Sequence, residues 1–339
     1  MIFWWFLALT SAVSWALTGF LYRYALAKNL IDIPNERSSH SVPTPRGGGV
    51  AIVVSFLAVL AILNSMELLS TPVFLALGGA GFAVAVTGFL DDHGHIAARW
   101  RLLVHFCASV WGLYWLGGFP PLAAFGYWLD LGWFGYLGAT VYIVWLLNLY
   151  NFMDGIDGLA GLEAITACCS GALMVWLAAP DSTAWMPPAF LATAALGFLV
   201  WNLPPARIFM GDAGSGFLGI MLGLFSVQAA WIAPRLLWVW LILLAVFIVD
   251  ATVTLSRRVW RGEKFYEAHR SHAYQYAARI LGAHRPVTVA VCVINVFWLL
   301  PLASLVAVDK LDGIAGLMVA YLPLLWLAYR YKAGDRQAQ

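Results

Sequence analysis

The chain has 339 residues, of which 62% are hydrophobic, 15% aromatic and only 11% charged. Globular soluble chains run nearer ~25% charged, so a soluble fold is excluded and the expected class is all-α, a polytopic integral membrane protein. The net charge of +2 carries no information as a total; the placement of the charges does, and no nucleic-acid partner is expected from it.

Apolar runs of about 17 or more residues mark membrane spans. They predict eleven, in order 2–22, 48–63, 73–90, 102–118, 133–150, 161–179, 187–202, 214–230, 236–255, 287–305 and 313–331. The whole chain, 1–339, reads as one membrane-embedded domain. Met1 to Phe20 has neither a basic leader nor a small-residue cleavage site, so a retained first span is expected there. Cys107, Cys168, Cys169 and Cys292 lie in apolar stretches without metal spacing and read as small core residues.

Taken along the chain, five clusters stand out between the spans. The first is Arg37-Ser-Ser-His40 followed by Pro43-Thr-Pro-Arg-Gly-Gly-Gly49. The glycines open a span, so backbone N–H groups and Arg46 there could face an anion. The second is Asp91-Asp92 at a span end, followed by Arg99 and Arg101. Adjacent carboxylates suit a cation or a base beside a phosphate. His93 and His95 lack a third ligand, so no zinc site is expected.

The third cluster is Asn148-Leu-Tyr-Asn-Phe-Met-Asp-Gly-Ile-Asp-Gly158. Asp154 and Asp157 are spaced i, i+3 and would share a face on a helix, as would Asn148 and Asn151 one turn earlier. Oxygen-only ligands suit a hard divalent cation, Mg²⁺ first, with Mn²⁺ as a substitute. The fourth cluster runs from Asn202 to Gly216 and places Asp212 just before a span. Alone it reads as a helix cap; beside other acidic clusters it becomes a metal-ligand candidate. The fifth is the basic loop 256–286 with His269-Arg-Ser-His272, whose Arg270 and histidines can clamp a diphosphate. Asp250, inside the preceding span, could pair with a basic group of this loop.

Eleven spans put 17 of the 19 Lys and Arg on one side, leaving Arg235 and Lys310 on the other. By the positive-inside rule the rich side is cytoplasmic. The N-terminus is then outside and the C-terminus inside. Every cluster falls on the cytoplasmic side. Metal-binding acids and phosphate-binding bases at one membrane face suit a reaction between a cytosolic phosphorylated molecule and a phosphorylated lipid.

Pro43-Thr-Pro-Arg-Gly-Gly-Gly, Gly88-Phe-Leu-Asp-Asp, Asn148-x-x-Asn-x-x-Asp-Gly-x-Asp-Gly-Leu, Phe209-Met-Gly-Asp-x-Gly-Ser and the His269–His272 loop occur in that order between about 35 and 285. Together they resemble the polyprenyl-phosphate N-acetylhexosamine-1-phosphate transferases, a group that includes undecaprenyl-phosphate GlcNAc-1-phosphate transferase and phospho-MurNAc-pentapeptide translocase. The resemblance implies a Mg²⁺-dependent transfer of sugar-1-phosphate from a UDP-N-acetylhexosamine to undecaprenyl phosphate, releasing UMP. It implies Asp212 and Asn151 as the metal and diphosphate ligands. Asp91, Asp92, Asp154 and Asp157 become the acidic groups of catalysis. Arg99 and Arg101 lie near the acceptor phosphate, and His269, Arg270 and His272 contact the donor. Arg46 and Asn148 are grouped with the substrate-binding residues.

His-Arg-Ser-His replaces the translocase's consecutive histidines, which argues against a MurNAc-pentapeptide donor. The loop looks closer to enzymes that start O-antigen or similar surface polysaccharides. Those take UDP-GlcNAc or a 6-deoxy relative such as UDP-N-acetylfucosamine or UDP-N-acetylquinovosamine. The expected partners are therefore undecaprenyl phosphate, the UDP-sugar and membrane lipids, with a homodimer left open. An intramembrane aromatic prenyltransferase would want two Asp-rich repeats, which this chain lacks. A transporter would place its charges near the bilayer midplane rather than at one face.

Overall fold

The computed structural model describes residues 2–34, 42–94, 96–263 and 269–335. Arg37–His40, His95, Lys264 and Arg336 lie outside them. Helices dominate in the order α1 (Ile2–Ala27), α2 (Val50–Ser65), α3 (Thr71–His93), α4 (Ala98–Trp115), α5 (Gly132–Met153), α6 (Leu159–Ala178) and α7 (Met186–Asn202). There follow α8 (Asp212–Ile232), α9 (Arg235–Leu243), α10 (Ala245–Trp260), α11 (Ala273–Leu281), α12 (Arg285–Ile294), α13 (Leu300–Ala307) and α14 (Gly313–Arg330). Two small antiparallel pairs complete the fold. Strand β1 (Ile31–Asp32) pairs with β2 (Thr44–Pro45), and β3 (Leu122–Ala124) forms a hairpin with β4 (Tyr127–Leu129).

Each of the eleven apolar runs is helical. Among the described residues, eight helices are long and apolar enough to cross a membrane, and nine if α9 and α10 count as one span. The chain is an all-α polytopic membrane protein. Two runs differ from simple spans. The run 236–255 is bent by 72° where α9 meets α10. The run 287–305 holds a π-helical turn, Asn295–Leu299, between α12 and α13. There Asn295 Nδ2 donates to Glu163 Oε2 at 2.6 Å and to Thr166 Oγ1 at 2.8 Å, pairing one side of the amide and one carboxylate oxygen inside the apolar bundle. The aromatic stretch after α4 carries the β3–β4 hairpin, tied to α14 by the Phe125 N–H on Asp312 Oδ2 at 2.8 Å.

The core is organised around α8, buried along nearly its whole length. Without a hydrophobic drive between helices in lipid, close backbone approach has to supply the packing. Gly219 provides it: a Cβ there would lie 2.7 Å from Leu147 Cα in α5. Helices α3 and α5 both pack extensively on α8. The two faces of this bundle are chemically unequal. The C-terminal ends of α3, α5 and α7 and the N-terminal ends of α2, α4, α6, α8 and α12 meet at one face, and the described motif residues lie there.

Replacing Gly219 by Val is expected to overpack the α5–α8 contact by about 1–3 kcal/mol. Gly138 in α5 has nothing within 4 Å of its would-be Cβ. Gly138→Ala should instead stabilise by about 0.5–1 kcal/mol through helix propensity. Thermal melts of detergent-solubilised protein check both, with Gly219→Val melting lower than wild type and Gly138→Ala no lower.

Candidate active site

Three distant motifs are stitched together at the start of α8. The Phe209 N–H donates to Pro45 O at 2.8 Å, Gly48 N–H to Phe209 O at 2.9 Å and Gly49 N–H to Met210 O at 2.9 Å. The N–H groups of Gly48 and Gly49 are therefore consumed in backbone pairing. This corrects the expectation that they face an anion. Asp92, its side chain only 5% exposed, reaches from α3 and accepts from the Asp212 and Ala213 N–H groups at 3.1 and 3.3 Å. A carboxylate on unpaired helix N–H groups is favoured by the helix dipole, by about 0.3–1 kcal/mol and more when partly buried. Arg46 completes the joint. Its Nε lies 3.8 Å from Asp92 Oδ1, and its guanidinium also donates to the Asp92 carbonyl. Gly88 lets α3 come this close, since a Cβ there would fall 2.5 Å from Asp212 O.

Asp91 points the other way. Its Oδ1 accepts from Ile96 N–H at 2.7 Å, and its Oδ2 takes a donor from the Arg101 guanidinium. The same Arg101 Nη1 lies 3.4 Å from Asp212 Oδ2, and the Asp91 and Asp212 carboxyl groups are within hydrogen-bonding reach of each other. Arg101, Asp212, Asn148 and Asn151 share the polar end of a cavity of about 320 Å³. Its far wall is apolar, with Leu102, Phe106, Val141 and Trp145. Phe106 also lines an apolar trough of about 950 Å³ between α4 and α5, with Trp111, Trp133 and Phe134. Asn148 donates its amide N–H to Val144 O at 2.7 Å, so that half of the amide is engaged within α5.

Asp154 and Asp157 do not share a helix face. They lie in a break between α5 and α6, where Asp154 caps α5 and Gly158 takes φ +75° ahead of α6. The glycines stop the helix before the i, i+3 spacing can act. Burial pushes the Asp154 carboxyl well above the usual carboxylate range, helped by the negative charges of Asp212, Asp92 and Asp157. Asp157 turns to the opposite side. Its Oδ2 accepts from Ala206 N–H at 3.0 Å, its Oδ1 lies 3.2 Å from His284 Nδ1, and its carbonyl accepts from the Thr288 hydroxyl at 2.9 Å. Gly158 N–H donates to Asn202 Oδ1 at 3.0 Å, and Asn202 Nδ2 donates to Ile208 O at 2.9 Å. Asp157 thereby borders a second cavity of about 560 Å³, with Phe209, Gln275, Arg279 and Arg285 on its walls.

The histidine loop covers the break. Tyr274 Oη donates to Phe152 O at 2.9 Å, and the rings of His269 and His272 lie 6.2 and 6.4 Å from Phe152. Arg270 offers its carbonyl to Arg279 Nη1 at 3.1 Å. Arg99 stays outside the cluster, exposed and over the Trp100 ring at 5.5 Å. Sequence reasoning passed over His284, which follows the Gly282 stop of α11 and opens α12. It also passed over His105, which faces the same cavity as Arg101 one turn further along α4. A basic residue one helical turn from a motif arginine was the available signal.

Among the described residues no three His, Cys, Asp or Glu side chains gather as a metal group. Asp212 and Asn151 instead present an oxygen-donor pair on one cavity wall. That donor set fits Mg²⁺, which binds through one or two carboxylates and completes its shell with water and phosphate oxygens.

Residues 74–230 match the family model described as glycosyl transferase family 4. A decaprenyl-phosphate N-acetylglucosaminephosphotransferase of Mycolicibacterium smegmatis is 30% identical over 309 residues, covering 82% of this chain and 76% of the relative. A probable undecaprenyl-phosphate N-acetylglucosaminyl 1-phosphate transferase of Bacillus subtilis is 27% identical over 275 residues, covering 79% and 75%. A phospho-N-acetylmuramoyl-pentapeptide-transferase of a Wolbachia species is 33% identical over 198 residues, covering 54% and 60%. With its motifs gathered at one membrane face and these relatives spanning most of its length, the chain belongs to glycosyl transferase family 4, the polyprenyl-phosphate N-acetylhexosamine-1-phosphate transferases.

Proposed function

We propose that the protein transfers an N-acetylated amino-sugar 1-phosphate from a UDP-sugar to undecaprenyl phosphate, as the first step of O-antigen or a related surface polysaccharide. One observation carries this reading: the cavity that holds Arg101 and Asp212 shares its Phe106 wall with an apolar trough between α4 and α5. A phosphate on a long hydrocarbon chain matches a charged end joined to a greasy one. The positive-inside asymmetry of the loops supports a cytoplasmic position for this face, in a bacterial inner membrane. The cavity beside Asp157, with an aromatic ring and two arginines, suits the nucleotide of the donor.

In this scheme an oxygen of the lipid phosphate attacks the β-phosphorus of the donor. The bond from that phosphorus to the bridging oxygen breaks, and UMP departs with the electron pair. Mg²⁺ would be held by Asp212 and Asn151 and would offset charge on the diphosphate. Arg101 holds the acceptor phosphate while shared between Asp91 and Asp212. A lipid phosphate with a second pKa near ~6 is largely ionised at neutral pH, so Asp91 need not act as a base; its contacts make it a holder of Arg101. Asp92 keeps the start of α8, and hence Asp212, in place. His-Arg-Ser-His at 269–272 favours a UDP-GlcNAc or 6-deoxy relative over the larger pentapeptide donor.

Membranes containing the protein, given undecaprenyl phosphate, Mg²⁺ and a panel of UDP-sugars, should release UMP with an N-acetylated donor. No Mg²⁺-dependent UMP from any of them overturns the proposal. Removing several kcal/mol of charge stabilisation should cost Asp212→Asn about 100-fold or more in turnover. A second expectation concerns pH. The raised Asp154 carboxyl binds its proton more tightly in the folded state, so stability is greatest below the ordinary carboxylate range and falls as pH rises above about 4. In EDTA, Asp154→Asn should therefore melt higher than wild type by a margin that grows as pH rises above about 4, while its UMP release, assayed with Mg²⁺, falls. A margin independent of pH would remove the burial of charge as its cause.

A further inference from the structure

Outside the groups just described, the most heavily engaged carboxylate is that of Asp250, buried in α10. Its Oδ1 accepts from Ala273 N–H at 3.0 Å and from the Thr254 hydroxyl at 3.1 Å, and lies 3.2 Å from His272 Nδ1. Its Oδ2 accepts from Tyr274 N–H at 3.0 Å. One carboxylate thus caps the start of α11 and holds the imidazole just before it. A carboxylate can only accept, so the proton of the neutral ring is drawn to Nδ1. His272 Nε2 is buried and finds no partner among the described residues. The ring is held by Asp250, by the Gln275 capping box and by its stacked neighbours, and its own access is slight.

What His272 does offer is a surface. His269 stacks on it with ring centroids 4.9 Å apart, and Tyr274 lies on it at 5.5 Å. His269 is the more exposed of the two histidines. Its Nδ1 is engaged within the loop by the Ser271 hydroxyl at 3.1 Å. We infer that Asp250 is a positioning residue for the histidine loop: it fixes His272 in the Nδ1–H tautomer and, through the stacked rings, sets His269 against the Phe152 end of the carboxylate cluster. His269 is then the ring that meets the donor, and Asp250 and His272 act through it. This deepens the transferase reading and rests on it for the activity arm of its test.

The experiment uses full-length protein in detergent with ¹⁵N-labelled histidine, the His272 signals being identified by their loss in His272→Asn. Two-bond ¹⁵N–¹H spectra should show wild-type His272 with Nδ1 protonated and Nε2 bare. In Asp250→Asn the amide can donate to Nδ1, and the tautomer should shift towards Nε2–H. Turnover should fall about tenfold to 100-fold, as for groups that orient metal-bound imidazoles, measured at a temperature where the variant is folded, since an amide nitrogen facing the Ala273 or Tyr274 N–H also lowers the melting temperature. Asp250→Glu, which keeps the carboxylate, should retain the Nδ1–H form and recover part of the turnover. An unchanged His272 spectrum in Asp250→Asn overturns the inference, as does unchanged turnover of that folded variant. If wild type releases no UMP, the transferase reading fails, but the tautomer spectra still judge Asp250.

Discussion

The motif-bearing face depends on carboxylates that cap helices other than their own. A helix start leaves its first N–H groups without intrahelical partners, and near a membrane there is little water to take them. Asp92 of α3 supplies the acceptor for α8, and Asp250 of α10 supplies it for α11. In each case the residue beside the cap is a candidate for chemistry: Asp212 opens α8, and His272 precedes α11. A cap from another helix does more than satisfy two N–H groups. It fixes the distance between the elements, so a group at the capped end inherits a position from the bundle rather than from its loop.

The same arrangement explains how so many acids coexist. At an effective dielectric of about 20, like charges about 4 Å apart repel by about 4 kcal/mol. Asp92 is relieved by helix N–H groups and Arg46, and Asp91 by Arg101 and the Ile96 N–H. Asp157 is relieved by the Ala206 N–H and His284. Asp154 has no such described relief, which is why burial and its neighbours push its carboxyl so far up. Asp154 meets that crowding by holding its proton rather than its charge, and a hard cation brought in with a diphosphate would favour release of that proton.

Hydropathy made the bundle legible, because lipid leaves helices as the only open-chain way to satisfy the backbone. All eleven runs are helical, and charge asymmetry correctly grouped the clusters on one face. What hydropathy does not encode is the path inside a run. The bend between α9 and α10 and the π turn at Asn295 both fall in uniformly apolar sequence. Local spacing misled for a different reason. Asp154 and Asp157 looked like one face of a helix, but Gly155 and Gly158 end the helix between them. Gly47 to Gly49 looked like an anion nest, but the partners of Gly48 and Gly49 lie some 160 residues away at Phe209 and Met210. Long-range pairing of this kind leaves no periodic trace, and the same is true of His284 on Asp157.

The break between α5 and α6 has a consequence for mechanism. Asp154 is electrostatically joined to Asp92 and to Asp212, which lines the cavity next to the apolar trough. Three residues on, Asp157 borders the other cavity, with Phe209 and the two arginines. A helix through 154–157 would have set both carboxylates on one side. The glycines instead make the segment a partition with an acid on each face, and the histidine loop covers it through Tyr274 on Phe152. On the proposed reading, lipid phosphate and nucleotide approach that partition from opposite sides. Such an approach is what in-line displacement at the β-phosphorus needs, since entering and leaving oxygens must lie on opposite sides of the phosphorus. A carboxylate–phosphosugar intermediate would instead require one acid to reach the phosphorus from the acceptor's side. Asp91, held by Arg101 and the Ile96 N–H, and Asp92, held on α8, are both committed elsewhere. Direct attack asks for no such release of Asp91 or Asp92.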